Sequence, residues 1–143
     1  MDPSAGAAPS PLASALDRVG DRWSLLVVEA LLDGPRRFGE LSEHVVGIAP
    51  NILTDRLRRL ERSAIVRSTP YSTRPPRLEY ALTADGLELA GTLRLLADWG
   101  ARRTADVETL RHGPCGTPLE AHWYCPTCTR VVDDPELDEV ATL

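Results

Sequence analysis

Apolar residues in the first half of the chain recur at helical spacing, then alternate only once before a further helical stretch. Trp23, Leu26, Val27, Ala30 and Leu31 follow the i, i+3, i+4, i+7, i+8 rhythm of a helix that buries one stripe. Asp33-Gly34-Pro35 stops it. A shorter helix over Pro11–Val19 precedes it, with Pro11 in the first turn, where a missing N–H is harmless. Phe38, Leu41 and Val45 mark another short helix, and Val46-Gly47-Ile48 is a tight turn. The next helix begins at Pro50 and runs to about Ser63, with Leu53, Leu57 and Leu60 inward. Two short helices joined by a Gly-containing turn predict a helix-turn-helix.

Strand character follows. Ile65–Tyr71 and Arg77–Leu82 read as strands, with Leu78, Tyr80 and Leu82 alternating as one buried face. Ser72-Thr73-Arg74-Pro75-Pro76 between them is a polar, proline-rich tip. A hairpin directly after the third helix of the motif region is a wing. Thr83 caps the next helix, and Asp85 in its first turn suits the dipole. That helix is expected from about Ala84 to Val107, with Leu89, Leu93, Leu96 and Trp99 along one side. Together with Pro11–Val19 it predicts a two-fold interface that buries Leu89, Leu93 and Leu96, with Trp99 nearby. The fold class is therefore α+β: a winged helix-turn-helix with a long C-terminal dimerisation helix and a small zinc-ribbon-like hairpin. Its core is expected to contain Phe38, Leu41, Leu53, Leu57, Leu60 and Tyr80. Residues 1–10 are a lead-in, 11–107 the winged domain and dimerisation helices, 108–133 a small module and 134–143 an acidic tail. No internal repeat is apparent.

Charge changes the picture once it is located. The whole chain of 143 residues carries −5, but nine arginines and five acids between Arg36 and Glu79 give that segment +4. A local basic patch can bind phosphates while a distant acidic tail is screened over roughly 8–10 Å. All sixteen basic residues are arginine, which reads as coding bias. No apolar run is long enough to cross a bilayer. Met1–Ser10 lacks the basic start and apolar stretch of a signal peptide, so a cytoplasmic protein is expected. The sequence carries no nucleophile–base pair, phosphate loop or paired carboxylates, which excludes an enzyme reading.

Helical geometry assigns candidate contacts to double-stranded DNA. With Leu53, Leu57 and Leu60 inward, the opposite face carries Asn51, Thr54, Asp55, Arg58 and Arg62. Asn51 and Thr54 are assigned to bases or adjacent phosphate, and Arg58 to a base edge or phosphate. Asp55 either accepts from cytosine or pairs with Arg58 or Arg59. Arg56 lies toward the leucine side and reads as a structural ion pair. Arg74 at the wing tip is assigned to the minor groove or phosphate. Arg36 and Arg37, beside the first helix of the motif, either touch the backbone or stay exposed in a loop.

Three segments carry a resemblance: Asp33-Gly34-Pro35-Arg36-Arg37-Phe38-Gly39-Glu40-Leu41, the run from Gly47 to Glu61, and Pro75-Pro76-Arg77-Leu78-Glu79-Tyr80-Ala81-Leu82-Thr83. Together with Trp23 and Trp99-Gly100, they resemble the HxlR-type family of winged-helix regulators over Pro11 to about Arg103. The resemblance implies a homodimeric transcription factor that answers to a small-molecule effector or an oxidant. Two positions depart from the family pattern. Ser10 stands where some members carry a sensing cysteine, and Ala49 stands where a serine usually caps the recognition helix at about 1 kcal/mol.

A second constellation is His112-x-x-Cys115, nine residues, then Cys125-x-x-Cys128. Two such knuckles can close four ligands tetrahedrally around one zinc ion. Gly113, Pro114, Gly116 and Pro126 permit the turns, and the segment has too little apolar surface to fold alone. Zinc is therefore expected as a structural cofactor. His122 is an alternative fourth ligand, and a Cys125–Cys128 dithiol with a spare Cys115 is the reading without metal. Two functions stay open: an effector-controlled regulator with structural zinc, or a metal- or thiol-responsive sensor switching through this cluster. A ribbon that recruits a protein partner is a third.

Overall fold

The computed structural model describes residues 8–137. Residues 1–7 and 138–143, most of the expected lead-in and most of the expected acidic tail, lie outside the described residues. The chain divides into two compact units at Leu93/Arg94, inside a helix and earlier than the 107/108 boundary placed from sequence.

In the first unit, α1 (Pro11–Val19) starts at Ser10, whose hydroxyl accepts from the Ala13 N–H at 3.1 Å. The residue that replaces the family's cysteine thus serves as a helix cap. α2 (Arg22–Leu31) starts at Asp21, whose carboxylate accepts from the backbone N–H of Ser24 at 3.0 Å and from its hydroxyl at 2.6 Å. These bonds satisfy Ser24, the one buried polar residue among the described residues, which otherwise would cost about 1–3 kcal/mol. α3 (Phe38–His44) and α4 (Pro50–Arg62) are joined by a turn in which Gly47 has φ +83°. That left-handed backbone suits glycine, and it lets the chain reverse between the two helices.

β1 (Arg36–Arg37), β2 (Val66–Thr73) and β3 (Pro76–Leu82) form an antiparallel sheet in the order β1-β3-β2. β1 had no sequence signal: Arg36 pairs with Tyr80 and Arg37 with Glu79. The wing strands reach further than expected, with Ser72 opposite Arg77 and Thr73 opposite Pro76, so the tip shrinks to Arg74-Pro75. Pro76 occupies the first position of its strand, where a missing N–H is tolerated. The expected alternation is only half realised. Leu82 is buried and Tyr80 packs on the core, but Leu78 is exposed, because the wing extends past the helices that cover its base.

Val27, Val28, Leu31, Leu41, Leu53, Leu57, Leu60, Ile65, Val66, Leu82 and Leu93 make the core, with Trp23, Phe38, Tyr80 and Leu89 packed against it. The helix expected over 84–107 is two: α5 (Ala84–Leu87), capped by the Thr83 hydroxyl, and α6 (Leu89–Ala101). Gly86 meets the Ile65 carbonyl so closely that an added Cβ would lie 2.3 Å from the oxygen. Leu89 and Leu93 face this unit's own core, so the expected intermolecular stripe is corrected: Leu95, Leu96 and Trp99 are the exposed apolar positions of α6.

In the second unit α6 stops at Ala101 because its last carbonyls find other donors. The Thr104 hydroxyl donates to Gly100, and the Arg103 guanidinium donates to the Trp99 carbonyl while lying 4.1 Å over the Trp99 ring. Two hairpins follow. In the first, Leu119 donates to Leu110 and His112 to Thr117; the second is β4 (Trp123–Cys125) with β5 (Arg130–Val132). A 3-10 turn over Asp134–Glu136 ends the described chain, and Glu136 pairs with Arg130, so this part of the expected acidic tail is engaged with the module.

Candidate nucleic-acid interface

α4 positions the proposed reading face. It begins at Pro50 after an extended Ala49 that offers no side-chain cap. The buried row Leu53, Leu57 and Leu60 fixes its rotation, leaving Asn51, Asp55, Arg58 and Arg62 exposed. Thr54 is half-buried, and its hydroxyl donates to the Pro50 carbonyl at 2.9 Å, so it retains acceptor capacity and a methyl group for a partner.

The arginines near this face separate into two sets. Arg56 donates to Asp21 at 2.8 Å and also pairs with Asp55, while Arg59 lies 3.7 Å from Asp21 and donates to the Asp17 carbonyl at 2.8 Å. The structural role expected of Arg56 is thus observed. Within the chain Asp55 pairs with Arg56, and not with Arg58 or Arg59, the two protein partners that the sequence offered beside cytosine. Burial pushes the Asp21 carboxyl up, but hydrogen bonds from Ser24 and the Arg56 guanidinium outweigh it and hold it at about 2. Arg36 is also occupied: its Nε donates to the Ala30 carbonyl at 2.6 Å, closing the end of α2. Among the described residues, no ion pair holds Arg58, Arg62, Arg67, Arg74 or Arg77.

Arg37 is exposed and stacks on Tyr71, with its guanidinium 4.2 Å from the ring centroid. The register of the wing shifts between Pro70 and Ser72, leaving Tyr71 as the extra residue of a bulge. The stacking joins the outer half of the wing to the start of α3. Arg74 sits at the exposed tip, with Arg67 and Arg77 exposed along the two wing strands. Sequence reasoning passed over Tyr71, Arg67 and Arg77. Their arginine and aromatic character on a hairpin after a helix-turn-helix was the available signal.

The His/Cys residues form two separate pairs. His112 Nδ1 lies 3.2 Å from Cys115 Sγ, and the Cys128 N–H donates to Cys125 Sγ at 3.4 Å. Among the described residues, no set of three or more His, Cys, Asp or Glu side chains is gathered in one place. His122 faces Glu120 at 3.3 Å. Hydrogen bonding to Thr117, then to His112, holds the Cys115 thiol down at about 7, and the Cys128 backbone pulls Cys125 down. The two turns share one geometry. His112 pairs with Thr117 and Cys125 with Arg130, Cys115 and Cys128 stand third in the four-residue loops between, and a left-handed residue follows each. Gly116 has φ +70° and Thr129 φ +54°. The second hairpin repeats the first thirteen residues on, a repeat of conformation that the sequence did not display.

A helix-turn-helix with a wing and a basic outer face defines a DNA-binding transcriptional regulator. Residues 18–108 match the HxlR-like helix-turn-helix family, and the chain belongs to it. An HTH-type transcriptional regulator of Mycobacterium tuberculosis strain H37Rv is 36% identical over 118 residues, covering 80% of this chain and 74% of the relative. One from Synechocystis is 36% identical over 104 residues, covering 70% of this chain and 77% of the relative. Among solved structures, the HTH-type regulator ytcD superposes with a TM-score of 0.62 at 32% identity, covering 66% of this chain and 97% of its own. The redox regulator HypR in its reduced form gives a TM-score of 0.62 at 34% identity, covering 68% and 96%. Among the described residues no helix is long and apolar enough to cross a membrane.

Proposed function

We propose that this regulator binds a pseudo-palindromic operator as a homodimer, with α4 in the major groove and Arg74 on the backbone or minor groove. The observation that carries the reading is the division of the arginines. Arg56 and Arg59 are drawn inward to Asp21, whereas Arg58 and Arg62 stand exposed on the outer face without an ion pair. A guanidinium held by a carboxylate has its donors occupied; an unpaired one can offer its fork to guanine or phosphate. Asn51, two turns before Arg58, lies where recognition-helix side chains reach base edges. Arg37, stiffened by Tyr71, is assigned to phosphate. Homodimerisation is supported by apolar side chains left exposed in the single chain: Leu12 and Leu16 on α1, and Leu95, Leu96 and Trp99 on α6.

Operator titrations of Arg58→Ala and Arg74→Ala test this. Arg58→Ala weakens the cognate site by about 1–3 kcal/mol while non-specific binding changes little. Arg74→Ala weakens every sequence and makes the salt dependence shallower. Unchanged affinity in both variants would mean that neither the helix nor the wing touches DNA.

A further inference from the structure

We propose that His112, Cys115, Cys125 and Cys128 bind one zinc ion that closes the two C-terminal hairpins into a ribbon. Each tip presents a donor pair three residues apart, and each tip is built the same way. The first donor ends a paired arm, the second stands third in a four-residue loop, and a left-handed residue turns the chain back. At the second tip the Cys128 N–H already points at Cys125 Sγ, the contact that stabilises a thiolate in a metal knuckle. The proposed site requires the two tips, which stand as separate pairs in the structure, to meet at one end. Thr117–Leu119 leads away from the first tip and Trp123–Cys125 leads toward the second, with only Glu120, Ala121 and His122 between. In the proposed zinc-bound form the chain reverses there, so that both donor pairs stand at the same height.

The energetics ask for such a link. None of the described residues from 102 to 137 is buried, and Trp123, Tyr124, Leu119 and Val131 are between 48% and 60% exposed. Two-stranded hairpins without an apolar face packed on something are marginal in water. A structural zinc ion supplies the missing folding free energy, and three thiolates with one imidazole are a donor set that it favours. Binding displaces three thiol protons and takes the neutral imidazole. All four positions are then filled by protein, so the ion has a structural role and no open position for catalysis.

The test uses the full chain, purified under reducing conditions without a metal-affinity step. Elemental analysis is expected to find about one zinc per chain. Cobalt(II) added to the chelator-stripped protein is expected to give the visible d–d and thiolate-to-cobalt bands of a tetrahedral three-sulfur site. Cys115→Ser, Cys128→Ser and His112→Ala each drop the bound zinc toward background, while His122→Ala keeps it. A folded wild type without zinc that also fails to give the cobalt spectrum overturns the site, whatever the variants do. So does a Cys125–Cys128 disulfide found by intact mass in the folded protein as purified under those conditions. Zinc lost in His122→Ala but retained in His112→Ala overturns the fourth ligand.

Discussion

Asp21 ties two helices of this fold together. It caps α2, satisfies the buried Ser24 and holds Arg56 and Arg59 of α4. Asp21→Ala therefore removes a cap, strands a buried hydroxyl and releases two guanidinium groups, and urea denaturation is expected to register a loss of about 2–4 kcal/mol. Asp21→Asn keeps the cap acceptor and costs less. The pH dependence follows from the carboxyl standing at about 2 when folded, below its ordinary 3.8. A lowered folded value stabilises above 3.8 and the contribution disappears as pH falls through 2, so wild type has an acid limb in that window that Asp21→Asn lacks. Because the Asp21 side chain is 27% exposed, this part amounts to roughly 1 kcal/mol after solvent screening. At this scale sequence reasoning saw that Arg56 turns inward, since helical rotation alone decides that. It did not see that the Ala30 carbonyl occupies Arg36 or that Tyr71 stacks on Arg37, because both partners come from tertiary neighbours.

Among the elements, those whose ends are set by local chemistry were legible. α1 runs from the Ser10 cap to Val19 as expected, and Pro50 opens α4. β1 was not, since two arginines in a connecting loop show no apolar alternation and are held only by the edge of β3. The long helix was misjudged for a related reason. Periodicity marks Leu89, Leu93 and Leu96 as a stripe, but not which of them meet their own core. α5 and α6 meet at Glu88, whose backbone stays right-handed helical, and α5 lies at the end of the wing sheet, where Gly86 passes the Ile65 carbonyl. Gly86→Ala places a methyl where only hydrogen fits, so α5 must shift. Thermal or urea unfolding is expected to show a loss of about 1–3 kcal/mol, with no loss for Gly91→Ala, whose added Cβ meets open space. The thirteen-residue echo between the C-terminal hairpins also escaped detection, since Leu110-Arg111-His112 and Trp123-Tyr124-Cys125 share a conformation without sharing side chains.

For the molecule as a whole, the proposed homodimer makes two measurements informative together. Sedimentation is expected to give a dimer at micromolar concentration, and a monomer with full operator affinity would refute that assembly. A dimer sets two copies of α4 about one turn of DNA apart, roughly 34 Å. Its binding should also respond to salt less steeply than the basic segment suggests. Of the nine arginines between Arg36 and Glu79, Arg36, Arg56 and Arg59 are committed to protein carboxylates and carbonyls, leaving six. If every remaining arginine of both chains met a phosphate, log K would fall with log[salt] at a slope of about −11, against about −16 for all eighteen. A slope steeper than the first value would mean that the internal ion pairs open on the operator or that arginines outside the segment reach phosphate. Asp21 and the Ala30 carbonyl thus lower the number of counterions that the basic segment can displace from DNA, moving part of its arginine content from polyelectrolyte attraction into the architecture that aims the helix.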